Sequence, residues 1–367
     1  MTSTALRTAS LLTAALACAT VFAGPAGAYS PSSGSMVFVQ TDNPQGNTIV
    51  AYHQTTGGSL HQAGTYTTGG LGGQIPGTGP DNLASQGALT YDQAHHLLYA
   101  VNAGSNTITV FSVDGDRLIR RQILPSAGSF PVSVAVHGNH VYVLNSGDGG
   151  SVQGYLNVGG LLVKVPSWHR GLDLASGTTP GQVGITPDGG KLVVTTKSGD
   201  SIDVFPIGPL GPAGGPVVTR TPGQGPFGFT FDAAGRLIVT ESATNSVATF
   251  TIGRDAQLTK VSEVATGQTA TCWVIGTGDH FYASNAASAS LTGLSENAHG
   301  SLTSIGDTTT AAGTVDAAVT SDGKFLHVQT GVAGGVDSFR VDSDGSLTKT
   351  GTVTVPDAAG GEGIVAL

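Results

Sequence analysis

The sequence predicts an all-β chain folded as a seven-bladed β-propeller, its ring closed by the C-terminal strand joining the first blade. Three observations carry this. A phrase of apolar strand, polar turn, second apolar strand ending on a polar residue and third strand recurs along the chain. The second strands of successive copies end at Asn102, Asn145, Thr196, Glu241, Asn285 and Thr330, at spacings of 43, 51, 45, 44 and 45 residues. That period, with four short strands to the unit, is that of a propeller blade. Lastly, the C-terminal Gly363-Ile364-Val365-Ala366-Leu367 reads as a strand with nothing after it, while the worn first copy, Val37-Phe38-Val39-Gln40-Thr41, has no evident strand before Met36. Pairing Ile364 to Leu367 inside that copy removes both exposed edges.

The elements follow in order. Leu98-Tyr99-Ala100-Val101-Asn102 and Val141-Tyr142-Val143-Leu144-Asn145 are the clearest second strands. In the third strand of the second blade, Ile108 and Val110 point to one face and Phe111 and Val113 to the other. Apolar residues on both faces are what a blade stacked on each side requires, since no blade buries its faces alone. Pro187-Asp188-Gly189, Asp232-Ala233-Ala234-Gly235, Gly278-Asp279 and Ser321-Asp322-Gly323 supply the inter-strand turns. Asp342-Ser343-Asp344-Gly345 begins like a calcium loop but lacks the downstream bidentate Glu, and reads as a plain turn. Two stretches break the rhythm: the Gly/Pro-rich Gly69 to Pro80, and Val165-Pro166-Ser167-Trp168-His169-Arg170. Long loops on a rigid ring are where binding residues concentrate.

Composition bounds the setting. Residues 1–28 combine Arg7, an apolar run from Leu11 to Ala23 and Ala26-Gly27-Ala28 before Tyr29, the pattern of a cleaved secretory signal. The expected mature chain, 29–367, is a single propeller domain of 339 residues with 14 basic and 24 acidic side chains. An acidic secreted protein is a poor partner for nucleic acid or anionic lipid. Charged residues are 11% of the chain, against about 25% in ordinary domains, and Gly is 56 of 367. This balance suits an all-β exported protein of short strands and many bends. Cys272 is the one thiol left after cleavage, so the fold is expected to hold by burial and ring closure rather than by a disulfide.

The middle and C-terminal blades resemble the bacterial lactonase-like seven-bladed propellers, related to 6-phosphogluconolactonase and carboxy-cis,cis-muconate cyclase. The resemblance rests on Thr179-Pro180-Gly181-Gln182-Val183-Gly184-Ile185-Thr186-Pro187-Asp188-Gly189, Gly225-Pro226-Phe227-Gly228-Phe229-Thr230-Phe231-Asp232, Thr240-Glu241-Ser242 and Ala270-Thr271-Cys272-Trp273-Val274. It implies lactone hydrolysis, or the reverse cyclisation, by a His, Arg and Glu set on the top face. This chain departs from that set: no His follows a Pro at the start of an inner strand. Asn145-Ser146-Gly147-Asp148 and Asn102-Ala103-Gly104-Ser105 stand where the enzymes carry an acidic Asp-x-Gly-x-Asp loop.

Candidate residues therefore come from the chain's own loops. Hydrolysis needs a base for water and a cation or N–H donors for the oxyanion. Glu241 is the candidate base, with Lys197 one blade away as its oxyanion partner. Asn102, Asn145, Gln182, Phe227, Trp273 and Asn285 are candidate ligand contacts at the channel mouth, joined by the His169-Arg170 pair. Cys272, Asp316 and Glu362 fall on the same blade-to-blade loops; Cys272 has no adjacent cation to activate it and reads as buried. No Cys/His ligand spacing occurs, so a zinc site is unsupported and no metal ligand or cofactor is assigned, while a channel-mouth calcium held by Asn and Glu side chains stays open. The expected partner is a lactone or carbohydrate-like small molecule, bound by a monomer. Two functions stay open. A lactonase or isomerase would bring Glu241 and Lys197 together in a pocket. A non-catalytic extracellular binding scaffold would show a shallow mouth with Phe130, Tyr155 and Trp168 as an aromatic rim.

Overall fold

In the computed structural model, residues 1–2, 35–175, 177–208, 211–212 and 214–367 are described. The signal-peptide reading thus lies, but for its first two residues, outside the described residues. Seven antiparallel sheets follow one another along the chain. From inner to outer strand, the second blade is Leu89–Asp92, Leu97–Asn102, Thr107–Asp114 and Arg117–Pro125. The third runs from Pro131–His137 to Leu161–Gly171, the fourth from Gln182–Ile185 to Val217–Arg220 and the fifth from Pro226–Phe231 to Leu258–Ala265. The sixth runs from Thr271–Thr277 to Leu302–Thr309 and the seventh from Thr314–Val319 to Leu347–Thr354. The first blade takes Met36–Gln40, Thr48–Gln54 and Leu60–Thr67 from the N-terminal side and its innermost strand, Ile364–Ala366, from the C-terminus.

That closure is the one the leftover strand implied. Val39 faces Ile364, Phe38 faces Val365 and Val37 faces Ala366. Gln40 N–H to Gly363 O and Leu367 N–H to Met36 O, both 2.8 Å, extend the ladder. Each inner strand touches the inner strand of the next blade, and Ile364–Ala366 touches those of the seventh and second blades, so the ring has no gap.

The core sits between blades, as the two-faced pattern demanded. Tyr99, Val101, Ile108 and Val110 pack with Val141 and Val143 of the third blade. Leu98, Ala100 and Phe111 pack the opposite way, with Phe38 and Ile49 of the first. Every residue of the second strand Leu97–Asn102 is buried.

The polar ends of the second strands are stitches. Asn102 Nδ2 donates to Thr107 Oγ1 (3.1 Å) and Thr109 Oγ1 (2.9 Å), and Asn285 Nδ2 to Ser290 Oγ (3.1 Å) and Thr292 Oγ1 (3.0 Å). Thr196 and Ser201 hydroxyls meet at 2.8 Å. Each bond ties the close of the second strand to the start of the third. Outer strands bulge at a repeated place, leaving Arg121, Val261, Ile305 and Thr350 without a ladder partner. A bulge there twists the exposed edge away from pairing.

The stretch Val165 to Arg170, expected as a loop, lies within the eleven-residue outer strand Leu161–Gly171. Its extra residues form a break in register, and Trp168 turns inward to stack on Tyr142 at 5.8 Å. The aromatic rim is therefore not formed. Tyr155 is fully buried with its hydroxyl on Pro125 O (2.8 Å), Trp168 is buried and Phe130 is half-buried.

Candidate functional site

Four inner strands slip register at their first residues, around Val132, Phe227-Gly228, Cys272 and Val315-Asp316. Such bulges re-aim side chains beside binding sites. A strand-free segment from Thr68 to Ala88, joining the first two blades, packs against these inner-strand starts.

This strap is fitted to its bed. At Gly72 an added Cβ would collide with the Asp42 backbone, at Gly104 with Gly72 O, at Gly331 with Pro80 O and at Gly360 with the Asn82 side chain. Glycine at these points lets backbone meet backbone. Farther along, Asn82 N–H donates to Gly360 O (2.9 Å) and Gln86 N–H to Gly181 O (3.1 Å). The Gln86 side chain bridges Val274, donating to its carbonyl (2.8 Å) and accepting from its N–H (3.1 Å). Ser85 Oγ lies 2.8 Å from Val132 O and 2.6 Å from Glu362 Oε1, and Ser85 N–H donates to the same carboxyl oxygen (3.1 Å). The strap thus bonds to the third, fourth and sixth blades and to the C-terminal segment.

Beneath it lie three acids, Asp42, Asp316 and Glu362, and the strap adds a fourth, Asp81; none is more than 8% exposed. Gln40 Nε2 and Glu362 N–H donate to Asp42 (2.5 and 2.8 Å), and Ala84 N–H to Asp81 (2.6 Å). Burial disfavours the charged form and pushes the Asp42 and Asp316 carboxyls up to about 7. Glu362 is raised well above the ordinary carboxylate range, by burial first and then by Asp81 beside it; Asp81 is raised by burial. Glu362 Oε2 receives no donor, and the Asp81 carboxyl lies close enough to raise Glu362 further. Burial and the two neighbouring charges together push this pair toward its protonated form. The cation at this site is Lys197, which opens the three-residue turn Lys197–Gly199. Its ammonium donates to Ala84 O (3.1 Å), lies 4.8 Å from the Phe227 ring and draws the Asp81 pKa down. Among the described residues, no three His, Cys, Asp or Glu side chains are placed as a metal ligand set.

The candidates from sequence separate into three groups. Lys197, Phe227 and Trp273 converge on the strap: Trp273 Nε1 donates to Ser85 O (2.6 Å), and its ring meets Phe227 edge-on at 5.2 Å. Gln182 joins the fourth and fifth blades by accepting from Phe229 N–H (2.6 Å). Asn102, Asn145 and Asn285 close their second strands; Asn145 Nδ2 bonds Ser126 O (3.4 Å). His169 and Arg170 lie on the outer strand of the third blade. His169 borders a polar cleft of about 520 Å³ floored by Gly147, Gly149 and Gly150, while the Arg170 guanidinium holds the carbonyls of Gly214 (2.9 Å) and Pro212.

Glu241 and Lys197 have separate partners. Glu241 is fully buried, held by Lys260 Nζ at 3.0 Å and Ser246 Oγ at 3.2 Å, and Lys260 also grips Glu263 at 2.8 Å. The ion pair faces the outer strand of its own blade, whereas Lys197 faces the strap. Asp42, Asp81 and Ser85 are the residues sequence reasoning missed. The signal available was the irregular length and glycine content of the segment that carries two of them. Cys272, expected to be buried, is half-buried, and desolvation of its thiol pushes it up to about 12.

No protein-family profile matches the chain, and no curated protein matches it. Solved structures do. A candidate 6-phosphogluconolactonase from Bacteroides fragilis is 19% identical with a TM-score of 0.70, covering 92% of this chain and 99% of its own. The Pseudomonas aeruginosa periplasmic gluconolactonase is 17% identical with a TM-score of 0.72, covering 91% and 99%. Virginiamycin B lyase from Staphylococcus aureus follows at 13% and 0.54, covering 74% and 85%. The chain thus has the seven-bladed architecture of proteins named as lactonases, and at these identities what it shares with them is the fold.

Proposed function

We propose that this is an exported lactone hydrolase acting at the strapped channel mouth on a lactone or sugar-derived small molecule. The observation that carries the reading is the buried pair of carboxyls Asp81 and Glu362, both raised by burial, beside Lys197. Such a pair offers base and acid at once. Asp81 as carboxylate takes a proton from water, and the water oxygen attacks the lactone carbonyl carbon. Lys197 stabilises the oxyanion. The ring C–O bond then breaks and its oxygen takes the proton of Glu362. The proton gained by Asp81 passes to Glu362 and restores the pair. Export is supported by the signal pattern of residues 1–28 and by the fold shared with a periplasmic gluconolactonase.

The test is lactone hydrolysis by wild type, Asp81→Asn and Glu241→Gln. We expect Asp81→Asn to lose about a hundredfold or more in turnover and Glu241→Gln to keep it. The reverse ranking would return the base to Glu241. A second reading is favoured by one feature, the strap that fills the mouth: a non-catalytic extracellular binding scaffold. Absence of turnover on simple lactones, with unchanged folding in all three proteins, would favour it.

A further inference from the structure

We propose that the segment from Gly69 to Gln86 is a proton-latched strap, closed while Asp81 and Glu362 share a proton and released when both carboxyls ionise. It regulates access to the site just proposed. The latch itself is testable without any substrate, so its failure is separable from failure of the hydrolase reading.

The fit of the strap shows a seated element with room to leave. Close glycine contacts hold it at Gly72, Pro80 and Asn82, but Gly77 and Gly79 between them have φ of 86° and 69° and open space around their α-carbons. These are natural hinges, since glycine alone moves freely through that region. Ala84 is held at φ 54°, a left-handed conformation that costs a non-glycine residue energy and persists only where its surroundings enforce it.

The forces on the strap are unequal. Most of its bonds join neutral backbone or amide groups and do not change with pH; the two from Ser85 to Glu362 Oε1 (2.6 and 3.1 Å) favour the ionised carboxyl and oppose release. The titratable and charged groups facing its end are Asp42 on the first blade, Asp316 on the seventh, Glu362 in the C-terminal segment, Lys197 on the fourth and the Cys272 thiol on the sixth. At the third and fifth blades the inner-strand bulges bring the apolar Val132 and Phe227. Asp81 is the strap's own acid. Three acids on the ring therefore oppose one on the strap, with Lys197 the ammonium that offsets them. Each proton lost from the ring acids increases repulsion on Asp81, and ionisation of both Asp81 and Glu362 sets two like charges side by side. Lys197 Nζ to Ala84 O survives deprotonation, so it sets a limit on opening rather than driving it.

The experiment is amide hydrogen exchange on the full protein from about pH 5 to about pH 9, corrected for intrinsic exchange, with Cys272 alkylation normalised to free cysteine as a second readout. In wild type, protection of Gly69 to Gln86 should fall about tenfold or more across the range, a linkage of one proton over one pH unit. Cys272 labelling should rise with it, while the second strands stay protected. Glu362→Gln, whose amide donates to Asp81 at every pH, should keep the strap closed and Cys272 shielded. Flat protection in wild type would overturn the latch. So would parallel loss in Glu362→Gln, or strap and second strands losing protection together.

Discussion

Two glutamates in this ring are equally hidden and differently kept. Glu241 and Glu362 are both 0% exposed. Glu241 keeps its charge problem within its own blade, through Lys260 and Ser246. Glu362 faces other acids and keeps a proton instead. Burial raises the pKa of both, but at Glu241 the ammonium works against that rise, and at Glu362 Asp81 adds to it. Burial by itself therefore does not mark a functional carboxyl. What the carboxyl is given as a partner decides whether it is a strut or a proton store.

The sharpest way to break this comparison is to remove each cation. Lys260→Met leaves Glu241 buried with a hydroxyl as its main partner, and should cost about 3 kcal/mol in chemical denaturation. Lys197→Met should cost well under half of that, because the carboxyls it faces can hold protons. Equal losses would mean that the mouth acids are ionised struts like Glu241.

Next in size is the pH dependence. Asp42 and Asp316 have folded pKa values of about 7, above the ordinary carboxylate value, so the native state binds protons there that the unfolded chain has released. Stability is then present at acid pH and falls as pH rises from about 4 through about 7. His327 has the opposite sign. Buried between Gln54 and Ser338, its pKa is lowered to about 4, so it loses stability as pH falls from its ordinary value through that point. Two carboxyls outweigh one imidazole, so the melting temperature should fall from about pH 4 to about pH 7, less steeply than the carboxyls alone would give. A monotonic rise from acid to neutral pH would remove the proton-holding account of the mouth.

The ring was legible because its cause is periodic. Second strands such as Leu97–Asn102 repeat an apolar run that only stacking can bury, and an unpaired strand at Ile364 had one free edge to fill. The stitches were legible in position and misread in meaning. Asn102 and Asn285 look like ligand contacts until the Ser or Thr five and seven residues on is recognised as the partner. Glu241 was misread for a related reason, since Lys260 sits opposite only once the outer strand folds back. Lys197, Phe227 and Trp273 were found because blade-to-blade and turn positions recur. Asp42, Asp81 and Ser85 were not, because they lie off the repeat, where depth is set by how one loop fits the whole ring.

The smallest effect separates the two glutamates most cleanly. Gln is nearly isosteric with a protonated carboxyl and cannot replace a charged one. At Glu241, Gln keeps Ser246 but deprives Lys260 of its buried counter-charge, leaving it Glu263; the cost should be about 1 kcal/mol, with little change between acid and neutral pH. At Glu362, Gln keeps the acceptor for Ser85 N–H and supplies an N–H to Asp81 that no longer depends on a proton from solution. Near pH 5 that substitution should leave stability within about 0.5 kcal/mol of wild type, and near pH 8 it should raise it by up to about 1 kcal/mol, since wild type has begun to lose the proton that Gln cannot lose. Denaturation midpoints of the two variants should therefore diverge as pH rises, with Glu362→Gln the more stable at both values. If Glu362→Gln were destabilising at both, as Glu241→Gln should be, Glu362 would be an ionised strut and the distinction between these glutamates would disappear.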